Sequence, residues 1–179
     1  MKIVGVGCGP GMLTEAAIQA LRSATLIVGS KRALDIVEAY LPAGADIRII
    51  TNYATLKSLP DHAVILSTGD PMVSGLGSLG GEIIPGISSV QLGAAKTGVT
   101  LTNIILITAH GRDHERAIQE CCDMIQHKKK VCIIADPDFP IEIMSKKLTE
   151  IDPEIRITLC ENLGYPDERI SLGTAQNPP

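Results

Sequence analysis

Residues 4–14 read VGVGCGPGMLT, an apolar run that enters a loop with glycine at positions 5, 7, 9 and 11. A strand followed by such a loop raises the question of dinucleotide binding. The fingerprint for that is G-x-G-x-x-G, with an acidic ribose ligand about 20 residues later. Counting from Gly5 places Pro10 at the third glycine position, counting from Gly7 places Met12 there, and the next apolar run, TLIVGSKR, ends without an acid. The stretch therefore predicts an α/β strand and loop that serve another ligand, and it disfavours a nicotinamide oxidoreductase.

The composition indicates a globular protein whose ligand is a small molecule. With 179 residues, 45% of them apolar and 20% charged, the chain can bury a substantial core. A net charge of −4, no tryptophan and four aromatic residues in all leave little for neutralising phosphates or stacking bases, so no nucleic-acid partner is expected. No apolar run approaches the roughly 20 residues of a membrane helix, and the start MKIVGVGCG is unlike a signal peptide. We expect a cytoplasmic protein without a membrane partner.

Five cysteines are distributed through the chain without a C-x-x-C pair. An odd number without such pairing suits neither a disulfide framework nor a zinc knuckle. We therefore expect reduced cysteines in the core, at Cys8, Cys121, Cys122, Cys132 and Cys160.

Strand-like and helix-like segments alternate almost from end to end, which predicts a mostly parallel sheet covered by helices. Leu13, Ala17 and Leu21 lie on one helical stripe with Thr14 as a candidate N-cap. The last two strands, IRITL and RISLGTA, flank the turn YPDE and are expected to pair antiparallel. A boundary between two α/β domains, 1–100 and 101–179, is predicted close to Gly98.

Five loops follow predicted strands and are rich in glycine, proline or charge. In open α/β sheets the ligand lies beyond the carboxyl ends of the strands. Glycine lets the backbone approach a ligand closely, although for any single loop a simple turn is the commoner use of glycine and proline. The loops are GCGPG (7–11), GSKR (29–32), STGDPMVSG (67–75), AHGRD (109–113) and ADPDFP (135–140).

Three short motifs occur in an order that resembles the tetrapyrrole (corrin and porphyrin) methylase family. They are GCGPG after the first strand, GDP after the fourth and PGISS after the fifth. Three further stretches, GSKRAL, HGRD and YPDERISLGTA, are similar to the branch that methylates C-5 of cobalt-precorrin-7, also called precorrin-6Y methylase. Each motif alone is weak, but six in order cover nearly the whole chain.

This resemblance implies a two-domain α/β enzyme, usually a homodimer, that binds S-adenosylmethionine in a trough between its halves. It implies C-5 methylation of a corrinoid tetrapyrrole in cobalamin biosynthesis, with C-15 methylation and decarboxylation left to a separate protein. The implied cofactor-binding residues are Pro10, Gly69, Asp70, Pro71, Met72, Ser88, Ser89 and Ala109. The implied substrate-binding residues are Lys31, Arg32, His110 and Arg112, whose cations could pair with the acetate and propionate carboxylates of the macrocycle.

The resemblance also bears on catalysis. Methyl transfer needs no nucleophilic side chain, so no catalytic residue is assigned. Asp70 after glycine would ordinarily form a turn, but the resemblance implies a donor contact, so Asp70→Ala is expected to weaken donor binding far more than folding. His110 and His114 have the spacing of a helical metal pair, but the sequence identifies no third ligand and we predict no protein-bound metal. Tyr53, Tyr165 and Phe139 are expected at the core or its rim.

Two features depart from the family pattern. Only MVSGLGSLGGEII separates GDP from PGISS, where relatives have a longer segment with a helix, and Ser74 stands where an aromatic residue is frequent. Two alternative functions therefore stay open. One is a sibling tetrapyrrole methylase acting at another macrocycle carbon, or on another substrate class. The other is a metabolite-binding α/β module without catalysis.

Overall fold

The computed structural model describes residues 1–111 and 113–179, and the chain divides into two compact units. The first unit comprises Met1–Leu92 and Leu163–Pro166, and the second comprises Gly93–Asn162 and Asp167–Pro179. The late stretch Leu163–Pro166 packs with the N-terminal residues and therefore belongs to the first unit. The domain ranges 1–100 and 101–179 stay a prediction.

The first unit is built on a five-stranded sheet in which every pairing is parallel. The strand order is β3-β2-β4-β1-β5, which confirms the α/β fold class. The strands are β1 (Lys2–Gly5), β2 (Leu26–Gly29), β3 (Asp46–Ile49), β4 (Val64–Ser67) and β5 (Glu82–Ile84).

Four helices follow these strands, and a side-chain cap begins each of them. Thr14 caps the first helix by accepting the Ala17 N–H, as predicted, and Ser30 caps the second in the same way. The second helix ends at Val37 and continues as a 3₁₀ turn over Glu38–Tyr40, so it is shorter than its apolar pattern suggests. The helices are α1 (Glu15–Arg22), α2 (Lys31–Val37), α3 (Pro71–Ser74) and α4 (Ser89–Thr97).

The three central strands, β1, β2 and β4, are buried on both faces, which explains why they are continuously apolar rather than alternating. Val4 and Leu66 point to one face, where they pack with Leu21 of α1 and with α2. Ile3 and Ile65 point to the other face and pack with a second cluster that includes Leu56.

In the part that the structure describes, the second unit contains two small sheets, two complete helices and the end of α4. Its parallel pair is β6 (Ile104–Thr108) with β7 (Lys130–Ile134), and its antiparallel pair, as predicted, is β8 (Arg156–Glu161) with β9 (Arg169–Thr174). The helices are α5 (His114–Gln126) and α6 (Ile141–Thr149), which share a core cluster with Ile107 and Ile157. Among the described residues, none of the helices combines the length and apolar character needed to cross a membrane.

None of the five cysteines, all of which lie in the described residues, forms a disulfide. Cys8, Cys121 and Cys122 are buried as expected, whereas Cys132 and Cys160 are only partly buried. Burial and, to a smaller extent, the neighbouring Cys122 together raise the pKa of the Cys121 thiol to about 12. The reactive thiolate is therefore scarce at neutral pH.

We expect Cys121 to resist iodoacetamide at pH 8 in the native protein and to react once the protein unfolds in urea. Tryptic mass spectrometry with and without urea measures this directly, and an unfolded sample serves as the control for full labelling. Labelling of native Cys121 at the rate of a free thiol would contradict the burial described here.

Candidate functional site

The candidate site of the first unit lies where the connections leaving two neighbouring strands diverge. The connection from β1 runs through α1 on one face of the sheet. The connection from β4 runs through a 3₁₀ turn whose Leu76 and Leu79 pack on the other face. Such a switch point at the carboxyl edge is where open α/β sheets bind ligands, so the loops after β1 and β4 form the floor of this site.

A pair of glycines joins these two loops. The Gly7 N–H donates to the Gly69 carbonyl at 3.2 Å, and the Gly69 N–H donates to the Gly7 carbonyl at 2.8 Å. Both residues have positive φ, +80° and +72°, a conformation that is costly for any residue with a Cβ. Glycine at both positions therefore allows the two loops to pair.

The turn after β5 packs against the same junction through its backbone. A Cβ on Gly5 would lie 2.8 Å from the Gly69 carbonyl oxygen and closer still to the Gly86 amide. A Cβ on Gly86 would lie 2.7 Å from the Gly5 carbonyl carbon and closer still to the Gly69 oxygen. Three backbones therefore meet here with no room for a side chain at Gly5 or Gly86, and we call Gly5, Gly69 and Gly86 the glycine junction.

Asp70 fastens this junction with both carboxylate oxygens. Its Oδ1 accepts the Met72 N–H at 2.8 Å and thereby caps α3, and its Oδ2 accepts the Gly86 N–H at 2.9 Å. Pro71 occupies the first position of α3 and is fully buried, where proline costs no backbone hydrogen bond. The structure thus gives Asp70 a loop-bridging role, and its contact with a donor stays a prediction.

The short segment after the GDP motif folds compactly. Helix α3 ends at Ser74, Gly75 follows in a left-handed conformation, and the 3₁₀ turn Leu76–Leu79 comes next. Ser74 has its Oγ 2.7 Å from the buried Ser67 Oγ. Met72 is 68% exposed at the start of this segment, so its side chain is free for a ligand contact.

Ser88 and Gln91 form a capping box at the start of α4. The Ser88 N–H and hydroxyl both donate to Gln91 Oε1 at 2.8 Å, and the Gln91 N–H donates to Ser88 Oγ at 3.2 Å. Ser88 is buried, and Ser89 is half-buried. The S-x-x-Q spacing in PGISSVQ is a signal that the sequence analysis missed.

The first loop also contacts the late stretch 163–166. A Cβ on Gly9 would lie 2.6 Å from the Gly164 carbonyl oxygen, so Gly9 makes room for that backbone. Pro10, the next residue, is exposed.

The two cations after β2 have different environments. Lys31 Nζ pairs with Asp35 at 3.0 Å, one helical turn later. The Arg32 Nε donates to the Tyr165 hydroxyl at 2.9 Å, and its guanidinium carbon lies 4.4 Å from the centre of the Tyr165 ring. Tyr165 does pack at the rim of the first core, but its contact with Arg32 was not predicted, because 133 residues separate the two.

In the second unit the loop after β6 is tied to the loop after β7. Ala109 is fully buried and its N–H donates to the Ile134 carbonyl at 2.7 Å. The Gly111 N–H donates to Asp136 Oδ2 at 2.6 Å, and Nδ1 of the exposed His110 ring lies in contact with Oδ1 of the same carboxylate. The Gly111 hydrogen bond, followed by the two nearby histidines, lowers the pKa of Asp136. Arg112 lies outside the described residues.

His114 reaches this carboxylate as well and belongs to a group that could hold a metal ion. One ligand atom from each of His114, Asp136 and Asp138 lies within 4.8 Å of the others. A nitrogen with two carboxylate oxygens suits a divalent transition metal. The sequence analysis paired His114 with His110 and found no third ligand, because both aspartates come from the loop after β7.

The predicted site residues thus fall into two groups. Those on the carboxyl edge of the first sheet are Pro10, Lys31, Arg32, Gly69, Asp70, Pro71, Met72, Ser88 and Ser89. Ala109 and His110 lie in the second unit.

Comparison with known proteins gives consistent matches over almost the whole chain. A curated relative named probable cobalt-precorrin-7 C(5)-methyltransferase, from Methanocaldococcus jannaschii, is 34% identical over 93% of this chain and 86% of its own. A solved precorrin-6Y methylase from Archaeoglobus fulgidus has 30% identity and a TM-score of 0.74, covering 98% of this chain and 90% of its own.

A more distant structure shares the fold. The uroporphyrin-III C-methyltransferase of Thermus thermophilus, solved with S-adenosylhomocysteine, has a TM-score of 0.68 at 18% identity and covers 98% of this chain and 88% of its own. The pattern that describes the tetrapyrrole (corrin/porphyrin) methylases matches residues 2–179. The chain therefore belongs to the tetrapyrrole (corrin/porphyrin) methylase family.

Proposed function

We propose that this protein transfers a methyl group from S-adenosylmethionine to C-5 of cobalt-precorrin-7, a corrinoid tetrapyrrole, in cobalamin biosynthesis. Family membership and the named activity of the M. jannaschii relative support the reaction. The observation that carries the proposal is the glycine junction, fastened by Asp70, at the switch point of the first sheet. An open α/β sheet binds its ligand at this position.

Two kinds of residue contribute to the proposed donor site. Pro10 and Met72 are exposed and available to touch a ligand. Pro71 and Ser88 are buried, so they shape the loops that carry the site. Ala109 in the second unit remains a donor residue by resemblance alone, and His110 and Arg112 remain substrate residues on the same basis.

The chemistry suits a site made mainly of backbone and small side chains. The electron-rich C-5 carbon attacks the methyl group in line, the S–CH₃ bond breaks, S-adenosylhomocysteine leaves, and the methylated macrocycle releases one proton. Proximity and orientation alone can contribute up to about 7–11 kcal/mol to such a step. The protein positions two ligands and excludes water, and cobalt enters as part of the substrate.

Calorimetric titration with S-adenosylmethionine, S-adenosylhomocysteine and NAD tests the donor assignment. We expect the first two to bind and NAD not to bind. At a ligand concentration of 100 Kd, each adenosyl ligand should raise the free energy of unfolding by about 2.7 kcal/mol. Binding of NAD alone would contradict the proposal in favour of an oxidoreductase.

Methyl transfer to cobalt-precorrin-7 tests the acceptor. We expect a product heavier by one CH₂ with the new methyl carbon at C-5, seen by mass spectrometry and ¹³C NMR with labelled donor. Transfer to another carbon would identify a sibling activity, and donor binding without transfer would identify a binding module. We also propose a homodimer on the basis of the family resemblance, which light scattering would measure.

A further inference from the structure

We infer that Tyr165 is a positioning residue that holds Arg32 for binding a carboxylate of the substrate. The inference rests on the proposed function, because it concerns the acidic side chains of the proposed macrocyclic acceptor. It gives Tyr165 a role beyond the core or rim position expected from the sequence. It also distinguishes Arg32, which is available to bind a carboxylate, from its neighbour Lys31, which already pairs with Asp35.

The contact with Tyr165 leaves most of the Arg32 guanidinium available. Arginine has five N–H donors, and Tyr165 receives the one on Nε. Among residues 1–111 and 113–179, this is the only hydrogen bond of the Arg32 side chain. The four donors on the two terminal nitrogens can therefore grip a carboxylate in the bidentate geometry that arginine favours.

Lys31 differs because its charge is already compensated. Its ammonium pairs with Asp35 at an i,i+4 spacing, and its side chain is 78% exposed. No carboxylate pairs with Arg32 in the part of the chain that the structure describes. Both cations lie in the first turn of α2, which contains no acidic residue and where the helix dipole disfavours positive charge. Arg32 is thus a locally unfavourable, uncompensated cation, as is typical of a functional residue.

Tyr165 can orient Arg32 because Tyr165 is itself held in place. Its neighbour Gly164 has a φ of +82° and packs closely against Gly9. A Cβ added to Gly9 would lie only 2.6 Å from the Gly164 carbonyl oxygen. The Tyr165 ring packs against the core cluster beneath α1 and α2. The tyrosine hydroxyl accepts from Arg32 Nε, and this hydrogen bond fixes the direction of the guanidinium.

The test measures the binding of two probes by calorimetry. Cobyrinic acid is a stable cobalt corrin with free acetate and propionate carboxylates, and its heptamethyl ester has the same ring without those charges. S-adenosylhomocysteine is titrated in parallel to report on the donor site. The variants are Tyr165→Phe, Arg32→Lys and the double variant, with Tyr53→Phe and Arg22→Lys as matched controls on exposed residues of the first unit.

We expect Tyr165→Phe to weaken cobyrinic acid binding about 3- to 10-fold and Arg32→Lys to weaken it about 10-fold. The double variant should bind no more weakly than Arg32→Lys, because the tyrosine acts through the arginine. Ester binding, S-adenosylhomocysteine binding and the controls should stay unchanged. In the methylation assay the KM for the corrinoid should rise while kcat stays constant.

Three outcomes would overturn the inference. Independent, additive losses in the double variant would show that Tyr165 does not act through Arg32. An equal loss of ester binding would indicate a structural role for the ring. If the wild-type protein bound S-adenosylhomocysteine but not cobyrinic acid, the proposed carboxylate contact of Arg32 would be wrong, whereas the proposed donor site would still be supported. Failure of the wild type to bind S-adenosylhomocysteine would instead count against the proposed function.

Discussion

Gly86→Ala is expected to abolish donor binding and to destabilise the first unit by about 3 kcal/mol or more, near the upper end for overpacking. The added Cβ would meet the carbonyl oxygen of Gly69 and the main chain of Gly5. These atoms belong to backbone at the ends of paired strands, so no side-chain rotation relieves the clash. The three loops would have to separate, and the floor of the proposed site would be lost.

Urea denaturation and calorimetric titration with S-adenosylhomocysteine measure the two effects. Gly44→Ala is the matched control, because Gly44 has a φ of +87° with nothing within 4 Å of an added Cβ. That control should cost about 1 kcal/mol through backbone conformation alone and leave binding intact. If Gly86→Ala bound the ligand with native affinity, the junction would not be the floor of the donor site.

Asp70→Ala should lower stability and donor affinity together. The substitution removes the cap of α3, worth about 1 kcal/mol. It also leaves the N–H of the buried Gly86 without its acceptor, at a cost of about 1–3 kcal/mol. Motif resemblance alone implied a loss of binding with little loss of stability. The two backbone hydrogen bonds of Asp70 change that expectation, because the carboxylate fastens the loop on which the donor would rest.

Asn52→Ala is the control, because it removes a side-chain cap but, unlike Asp70→Ala, breaks no hydrogen bond to a second loop. Asn52 Oδ1 accepts the Ala54 N–H at 2.9 Å at the start of a 3₁₀ turn, so its loss should lower stability modestly and leave S-adenosylhomocysteine binding unchanged. Thermal denaturation and calorimetry on both variants distinguish a loop-bridging role of Asp70 from a direct contact between Asp70 and the donor. An Asp70→Ala protein with native stability and no binding would favour direct contact between Asp70 and the donor.

Local patterns in the sequence were enough to predict the α/β class, the N-cap at Thr14 and the antiparallel pairing of β8 with β9. Hydrophobic periodicity and capping depend on residues a few positions apart, so the chain carries these signals in its local order. The order of motifs likewise indicated the family, which the match over residues 2–179 confirms.

The tertiary structure decided which residues meet. Asp70 contacts Gly86 across 16 residues, and Arg32 contacts Tyr165 across 133. The first contact exists because β1 lies between β4 and β5, which brings the loops after three strands to one edge. The second depends on residues 163–166 belonging to the first unit. Neither arrangement has a local signature, because strand order and long-range packing are set by burial of the whole sheet rather than by neighbouring residues.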